Sequence, residues 1–294
     1  MSQQSQSQNS GPLSAVSRPA SGAKRLFCWS GGGLPGLDIH AGIWRALTEL
    51  GITPAANAGT SAGAIMAAFC SAGISQSDIE RTLRSLSDSD VRAERTCWKV
   101  RALWIDWFLD NAPIRELLTR LLPPRFMDLR MPLSVVATRV RDGQPIIFME
   151  KNSASVPLVD AVLASMSISG VFPHVNINGD DYADGGVRAN LPLPTNWRTY
   201  DDIYLLIASR PVDYAKRHGL FSRLLLNLDW YALDQIADTI ALVATEYKRL
   251  RGPRIHVIWP AIGRDAGALR FRHDLIDQAY QQTLKQLEGH QNAT

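Results

Sequence analysis

Apolar residues along this chain recur at two periods, and the switches between them mark its elements. Leu26 to Ser30 is a short apolar run that reads as a strand. After Gly36, apolar residues at Ile39, Ile43, Ala46, Leu47 and Leu50 fall on one helical face, and Gly51 closes that helix. Pro54 to Ala58 reads as a second strand, and Ala62 to Ala72, small and apolar throughout, as a buried helix. Ser77 to Leu86, Trp98 to Leu109 and Pro113 to Leu122 predict three more helices, the last with Pro in its first turn. Pro132 to Thr138 and Pro145 to Met149 flank the turn RDGQ and predict a hairpin, and Val175 to Ala183 predicts another around NGDD. Pro157 to Met166 is helical and Ile203 to Ala208 a buried strand. Asp234 to Arg249 is a long helix, Ile255 to Trp259 a last strand and Asp274 to Leu287 a last helix. Strands alternating with helices argue for a layered α/β domain.

The 294 residues, 46% hydrophobic, are enough for one large core or two small ones. No repeat or linker interrupts 24–290, which is therefore expected to be one domain. Residues 1–23 are Ser, Gln, Gly and Pro with almost no large apolar side chain, the composition of a disordered tail. They hold no apolar segment of the kind a Sec-type signal peptide needs. A net charge of +3 is too slight to argue for nucleic acid. Cys28, Cys70 and Cys97 are too far apart to suggest a metal pair or a disulfide framework, which favours a reducing compartment. No apolar run reaches the roughly 20 residues of a membrane span. The expected location is the cytoplasm or a membrane surface, with non-Sec export left open.

Three motifs could carry chemistry. GGGLPG, Gly31 to Gly36, follows a strand and precedes a helix. It fits a dinucleotide fingerprint, with Glu49 near the offset of a ribose-binding acid. It fits equally a loop whose amides approach an oxyanion, and an ordinary tight turn. GTSAG, Gly59 to Gly63, is a G-x-S-x-G elbow between a strand and a helix of small residues. Such an elbow exposes a serine hydroxyl at a helix N-terminus, where developing negative charge is favoured; a plain serine cap is the ordinary alternative. Asp184-Gly185-Gly186 places a carboxylate on a tight loop, or is simply a turn. No histidine keeps comparable company: His174, in FPHV, is the nearest candidate for a base and His40 lies on the first helix, so a Ser-His-Asp triad lacks an evident His.

In this order the motifs resemble the patatin-like phospholipase family, and LASMSISGVFPHV, Leu163 to Val175, is similar to the segment that precedes the family's aspartate. PLSVVATRVRDGQPIIF is similar to its middle strands, and the likeness covers roughly 25–210. The resemblance implies a three-layer α/β/α domain with a mainly parallel central sheet. It implies Ser61 as nucleophile and Asp184 as base of a Ser-Asp dyad, with Gly31, Gly32, Gly33 and Gly36 as the oxyanion loop. Gly59 and Gly63 then shape the elbow, and Gly185 and Gly186 the aspartate loop. The reaction it implies is hydrolysis of a lipid carboxylic ester, with no metal or cofactor.

Two departures stand out. Pro35 occupies a position that is usually Arg or Lys in the family, removing a charge and an N–H, and leaving Gly32 and Gly33 as the expected donors. Ser169 stands where the family often has Pro. Two stretches suit contact with a lipid surface: Trp98 to Asp110, with Trp98, Trp104, Trp107 and Phe108 beside Lys99 and Arg101, and Gly219 to Leu233. Each reads as well as a core or lid helix. Beside the hydrolase stand two other readings, a catalytically weak lipid-binding module, suggested by Pro35, and a nucleotide-binding α/β protein, which leaves GTSAG and DGG unexplained.

Overall fold

The computed structural model describes residues 22–91, 109–208, 220–250, 252–262 and 270–291. Among the described residues eight strands form one sheet: β1 (Arg25–Trp29), β2 (Ala56–Thr60), β3 (Leu133–Arg139), β4 (Pro145–Met149), β5 (Val175–Ile177), β6 (Asp180–Asp184), β7 (Asp202–Leu206) and β8 (Arg254–Ile258). The run β3-β2-β1-β7-β8 is parallel throughout, while β4, β5 and β6 add antiparallel pairings at the β3 end. In β1, alternate residues feed opposite faces, Phe27 and Trp29 on one side, Leu26 and Cys28 on the other. A strand covered on both faces has no polar side, which is why RLFCW reads as an apolar run.

Among the described residues seven helices cover the sheet: α1 (Gly33–Glu49), α2 (Ala62–Ala72), α3 (Gln76–Ser85), α4 (Ala112–Leu121), α5 (Leu158–Met166), α6 (Leu220–Leu250) and α7 (Asp274–Gln291). The face with Phe27 and Trp29 carries α1 to α5 and α7 in one continuous core. The opposite face is packed by Ile236 and Val243 of α6 and by Trp197 and Tyr200. The architecture is therefore three layers, α/β/α, around a mainly parallel sheet. α2 can lie close against it because its residues are small; a Cβ at Gly63 would run into the carbonyls of Trp29 and Ser30.

Both predicted hairpins are present, β3–β4 and β5–β6, the second closed by Asn178 and Gly179 at positive φ. Three of the boundaries that differ from expectation show where the chain's local chemistry acts. β2 starts at Ala56, since Pro54 has no N–H to give a ladder and pairing begins at Leu26 opposite Ala56. α1 starts inside the glycine-rich stretch, because Gly33 turns the chain at φ 64° and Pro35 is compatible with a first turn. α6 runs from Leu220, so the stretch expected to begin at Gly219 opens this long helix. The tryptophan-rich stretch, Trp98 to Phe108, lies outside the described residues. Among the described residues no helix is long and apolar enough to cross a membrane.

The strand register sets up the site. β2 pairs with the first half of β3, ending with Thr60 opposite Val136. β6 pairs with the second half, ending with Asp184 opposite Ala137. One strand is parallel to β3 and the other antiparallel, so their C-terminal ends meet head to head. Ser61 and Asp184 stand at that junction, 123 residues apart in sequence.

Candidate active site

Ser61 leaves β2 at φ 55° and ψ −126° and caps α2. Among the described residues the only other non-glycine at positive φ is Asn178, in an Asn-Gly turn where that conformation is inexpensive. For a serine it costs on the order of 1–3 kcal/mol and persists only where the surroundings enforce it. They do so here. The Ser61 amide donates to Ser165 Oγ at 2.9 Å, and Ser165 Oγ donates to the Val136 carbonyl at 2.5 Å. Gly59 sits under the turn, where a Cβ would collide with the Gly63 carbonyl.

Asp184 is held on three sides. Its amide donates to the Ser167 carbonyl at 2.8 Å, its carbonyl accepts from Thr138 Oγ1 at 2.9 Å, and its Oδ1 accepts from the Gly186 amide at 2.6 Å. Oδ2 is buried and has no hydrogen-bond partner among the described residues. Burial pushes the carboxyl up to about 6, against the pull of the Ser61 hydroxyl and the Gly186 N–H. The hydroxyl bears on the carboxylate without making a hydrogen bond of ordinary geometry to Oδ2. Gly185 is required at the junction, since a Cβ there would meet the Val136 carbonyl and come within 3.1 Å of Thr60 Cγ2.

The glycine-rich loop lies beside Ser61: a Cβ on Gly31 would come within 3.3 Å of the Ser61 Cβ. Two of the loop's amides are already engaged, Gly31 with the Asn190 carbonyl at 2.9 Å and Gly36 with the Gly32 carbonyl at 3.1 Å. No described residue accepts from Gly32 or Gly33, which cap and open α1. Helix N-termini leave such donors unsatisfied, and they favour negative charge. Pro35 is buried in that first turn, where an N–H would have had no intrahelical partner, so the helix loses no bond by it.

The structure brings Ser61, Asp184, Gly31 to Gly33, Gly36, Gly59, Gly63, Gly185 and Gly186 into one place at the C-terminal ends of β2 and β6. It leaves the histidines out. His174 is exposed and pairs with Ser169 Oγ at 3.0 Å. His40 is buried under Trp29, bonded to the Ser30 carbonyl at 2.8 Å, and burial pushes it down to about 4. Glu49 ends α1 and is taken by Arg45 and Tyr280. A cavity of about 560 Å³ opens at the other end of the sheet, beside Leu26, Ala56 and Leu133, and holds none of these residues. Among the described residues no cluster of three His, Cys, Asp or Glu could hold a metal ion.

Ser165 and Asn190 belong to the site but were not singled out from sequence. A Cβ on Gly31 would run into Asn190 Oδ1, and one on Gly186 would reach within 2.9 Å of it. Ser165 lies inside the segment Leu163 to Val175 and Asn190 shortly after Gly186, yet their roles depend on contacts more than 100 residues away.

The sequence model of the patatin-like phospholipases matches residues 27–197, more than half of the chain. The chain belongs to the patatin-like phospholipase family. The match takes in the glycine loop, the Ser61 elbow and the Asp184 turn. An uncharacterized NTE family protein of Mycobacterium tuberculosis, Rv2565, is 31% identical over 193 residues, covering 63% of this chain and 30% of that protein. The uncharacterized protein YqhO of Bacillus subtilis is 27% identical over 187 residues, covering 56% of this chain and 64% of its own. The chain thus spans from about a third to under two thirds of the curated relatives it matches. VipD of Legionella pneumophila shares the fold, with a TM-score of 0.50 and 16% identity over 95% of this chain and 70% of VipD. Within the family's pattern, Pro35 lies in the first turn of α1, and Ser169 is exposed and bonded to His174.

Proposed function

We propose that this protein hydrolyses carboxylic esters of lipids through an acyl-serine intermediate. Ser61 Oγ attacks the acyl carbonyl carbon while its proton passes to Asp184 Oδ2. The oxyanion that forms lies against the amides of Gly32 and Gly33 and the N-terminus of α1. When the intermediate collapses, the ester C–O bond breaks and the leaving alcohol takes the proton from Asp184. Water then attacks the acyl-serine, Asp184 again accepts the proton, and the fatty acid departs as Ser61 recovers its hydrogen.

The observation that carries this reading is the junction of β2 and β6, where a strained serine faces a buried carboxylate with one unpartnered oxygen. A carboxylate at about 3.9 is a weak base for a hydroxyl. Burial brings it to about 6, nearer the working pH and still ionised at neutrality. The membership of the family supports lipid as the substrate class. Vesicles of phospholipid, lysophospholipid and acylglycerol incubated with the purified protein should release fatty acid from at least one class, and Ser61→Ala should release none. Release by Ser61→Ala equal to the wild type would refute the proposal.

A further inference from the structure

Three backbone groups in the turn after Asp184 end on one side chain, and that side chain lies beyond the residues matched to the family. Gln235, on α6, donates through Nε2 to the carbonyls of Gly186 at 3.0 Å and Val187 at 3.2 Å. Its Oε1 accepts from the Asn190 amide at 2.8 Å. Both N–H bonds and the carbonyl of the primary amide are therefore used.

The turn passes this restraint to both halves of the site. At one end the Gly186 amide holds Asp184 Oδ1. At the other the Asn190 carbonyl holds the Gly31 amide, one residue before the two free amides of the glycine loop. Gln235 itself touches no reacting atom. It sits next to Ile236, which anchors α6 in the core on the far face of the sheet.

We infer that Gln235 is a positioning residue: from α6 it fixes the turn 186–190, and through that turn both the Asp184 carboxylate and the glycine loop. Hydrolysis then depends on the three hydrogen bonds of Gln235 themselves, which tie both Asp184 and the oxyanion donors to α6. The inference rests on the hydrolase reading of Ser61 and Asp184. Its physical basis is the steep dependence of acyl transfer on geometry, where a misplacement of about 1 Å costs on the order of 100-fold.

Three variants test it on a soluble short-chain ester, whose turnover draws on no lipid surface. Gln235→Met keeps the length and helix propensity and removes all three bonds. Gln235→Glu keeps an acceptor for Asn190 but turns oxygen toward two carbonyls, and it supplies the same comparison should Gln235→Met not fold. Ile236→Ala loosens the packing of α6 one residue away without touching the turn. We expect both Gln235 variants, assayed well below their melting temperatures, to lose about 10- to 100-fold in kcat with KM within about twofold. Phosphonylation of Ser61 by a fluorophosphonate should slow in parallel, while Ile236→Ala lowers the melting temperature and keeps its kcat. A folded Gln235 variant with wild-type kcat would overturn the inference, and so would an equal loss in Ile236→Ala, which would assign the effect to helix packing. Wild-type protein with neither turnover nor labelling would overturn the hydrolase reading and the inference with it.

Discussion

Replacing Asp184 with asparagine should make the protein inactive and more stable at once. Burial raises this carboxyl from 3.8 to about 6 in the folded protein. The folded state thus binds the proton more tightly than the unfolded chain, so the stability it confers is complete below pH about 4 and is lost as pH rises to about 6. At about 1.36 kcal/mol per unit, the charged carboxylate costs the fold about 3 kcal/mol at pH 8 and about 1 kcal/mol at pH 4.5. Asparagine does not titrate. Its amide oxygen can still accept from Gly186, and its amide nitrogen replaces an oxygen that already lacks a partner. Costs of that kind do not depend on pH and cancel in the difference. Urea unfolding of both proteins at the two pH values should show Asp184→Asn gaining about 2 kcal/mol more at pH 8 than at pH 4.5. Its kcat/KM should fall by about 10²- to 10⁴-fold, the worth of a general base. In the wild type, kcat/KM should decline below pH about 6 with the slope of a single proton. A stability difference that is the same at both pH values would refute the account of Asp184 as a buried, charge-destabilised base.

Three further predictions follow from the contacts. Ser61→Gly removes a side chain from a backbone at φ 55°, so thermal unfolding should show a gain of about 1–3 kcal/mol together with complete loss of hydrolysis; a loss of stability would mean that the turn is not strained. Ser165→Ala leaves the buried Ser61 amide and the Val136 carbonyl without their partner, which should cost about 1–3 kcal/mol in denaturant unfolding and lower kcat; unchanged stability would contradict the bridge. His174→Ala and His40→Ala should keep kcat/KM within about threefold of the wild type wherever the proteins are folded, because neither ring bonds Ser61; a folded His174→Ala as inactive as Ser61→Ala would make the base a histidine.

Much of the fold was legible because local chemistry marked it. RDGQ and NGDD announced two hairpins, and the run Ala62 to Ala72 announced a buried helix with its boundaries. The Ser61 elbow could be read because small residues must surround such a turn. What could not be read was long-range. Nothing in β3 as a sequence says that its edge is shared by β2 and β6, yet that sharing puts Ser61 and Asp184 together. Which of the loop amides are free depends on the Asn190 carbonyl, far along the chain. Gln235 sits in a helix whose pattern shows only its apolar face, so the three bonds it makes leave no trace in periodicity.

The central claim is that Ser61 carries the acyl group, and the most direct test is to catch it there. Wild-type protein and Asp184→Asn should be mixed with an ester at acidic pH, quenched within the first turnovers and digested for peptide mass spectrometry. The account predicts a mass increase equal to the acyl group on Ser61 in the wild type. In Ser61→Ala there should be none, and in Asp184→Asn the acyl group should build up far more slowly. Turnover in the wild type with the acyl group on another residue, or with none on Ser61 when a fluorophosphonate also leaves it unmodified, would contradict it.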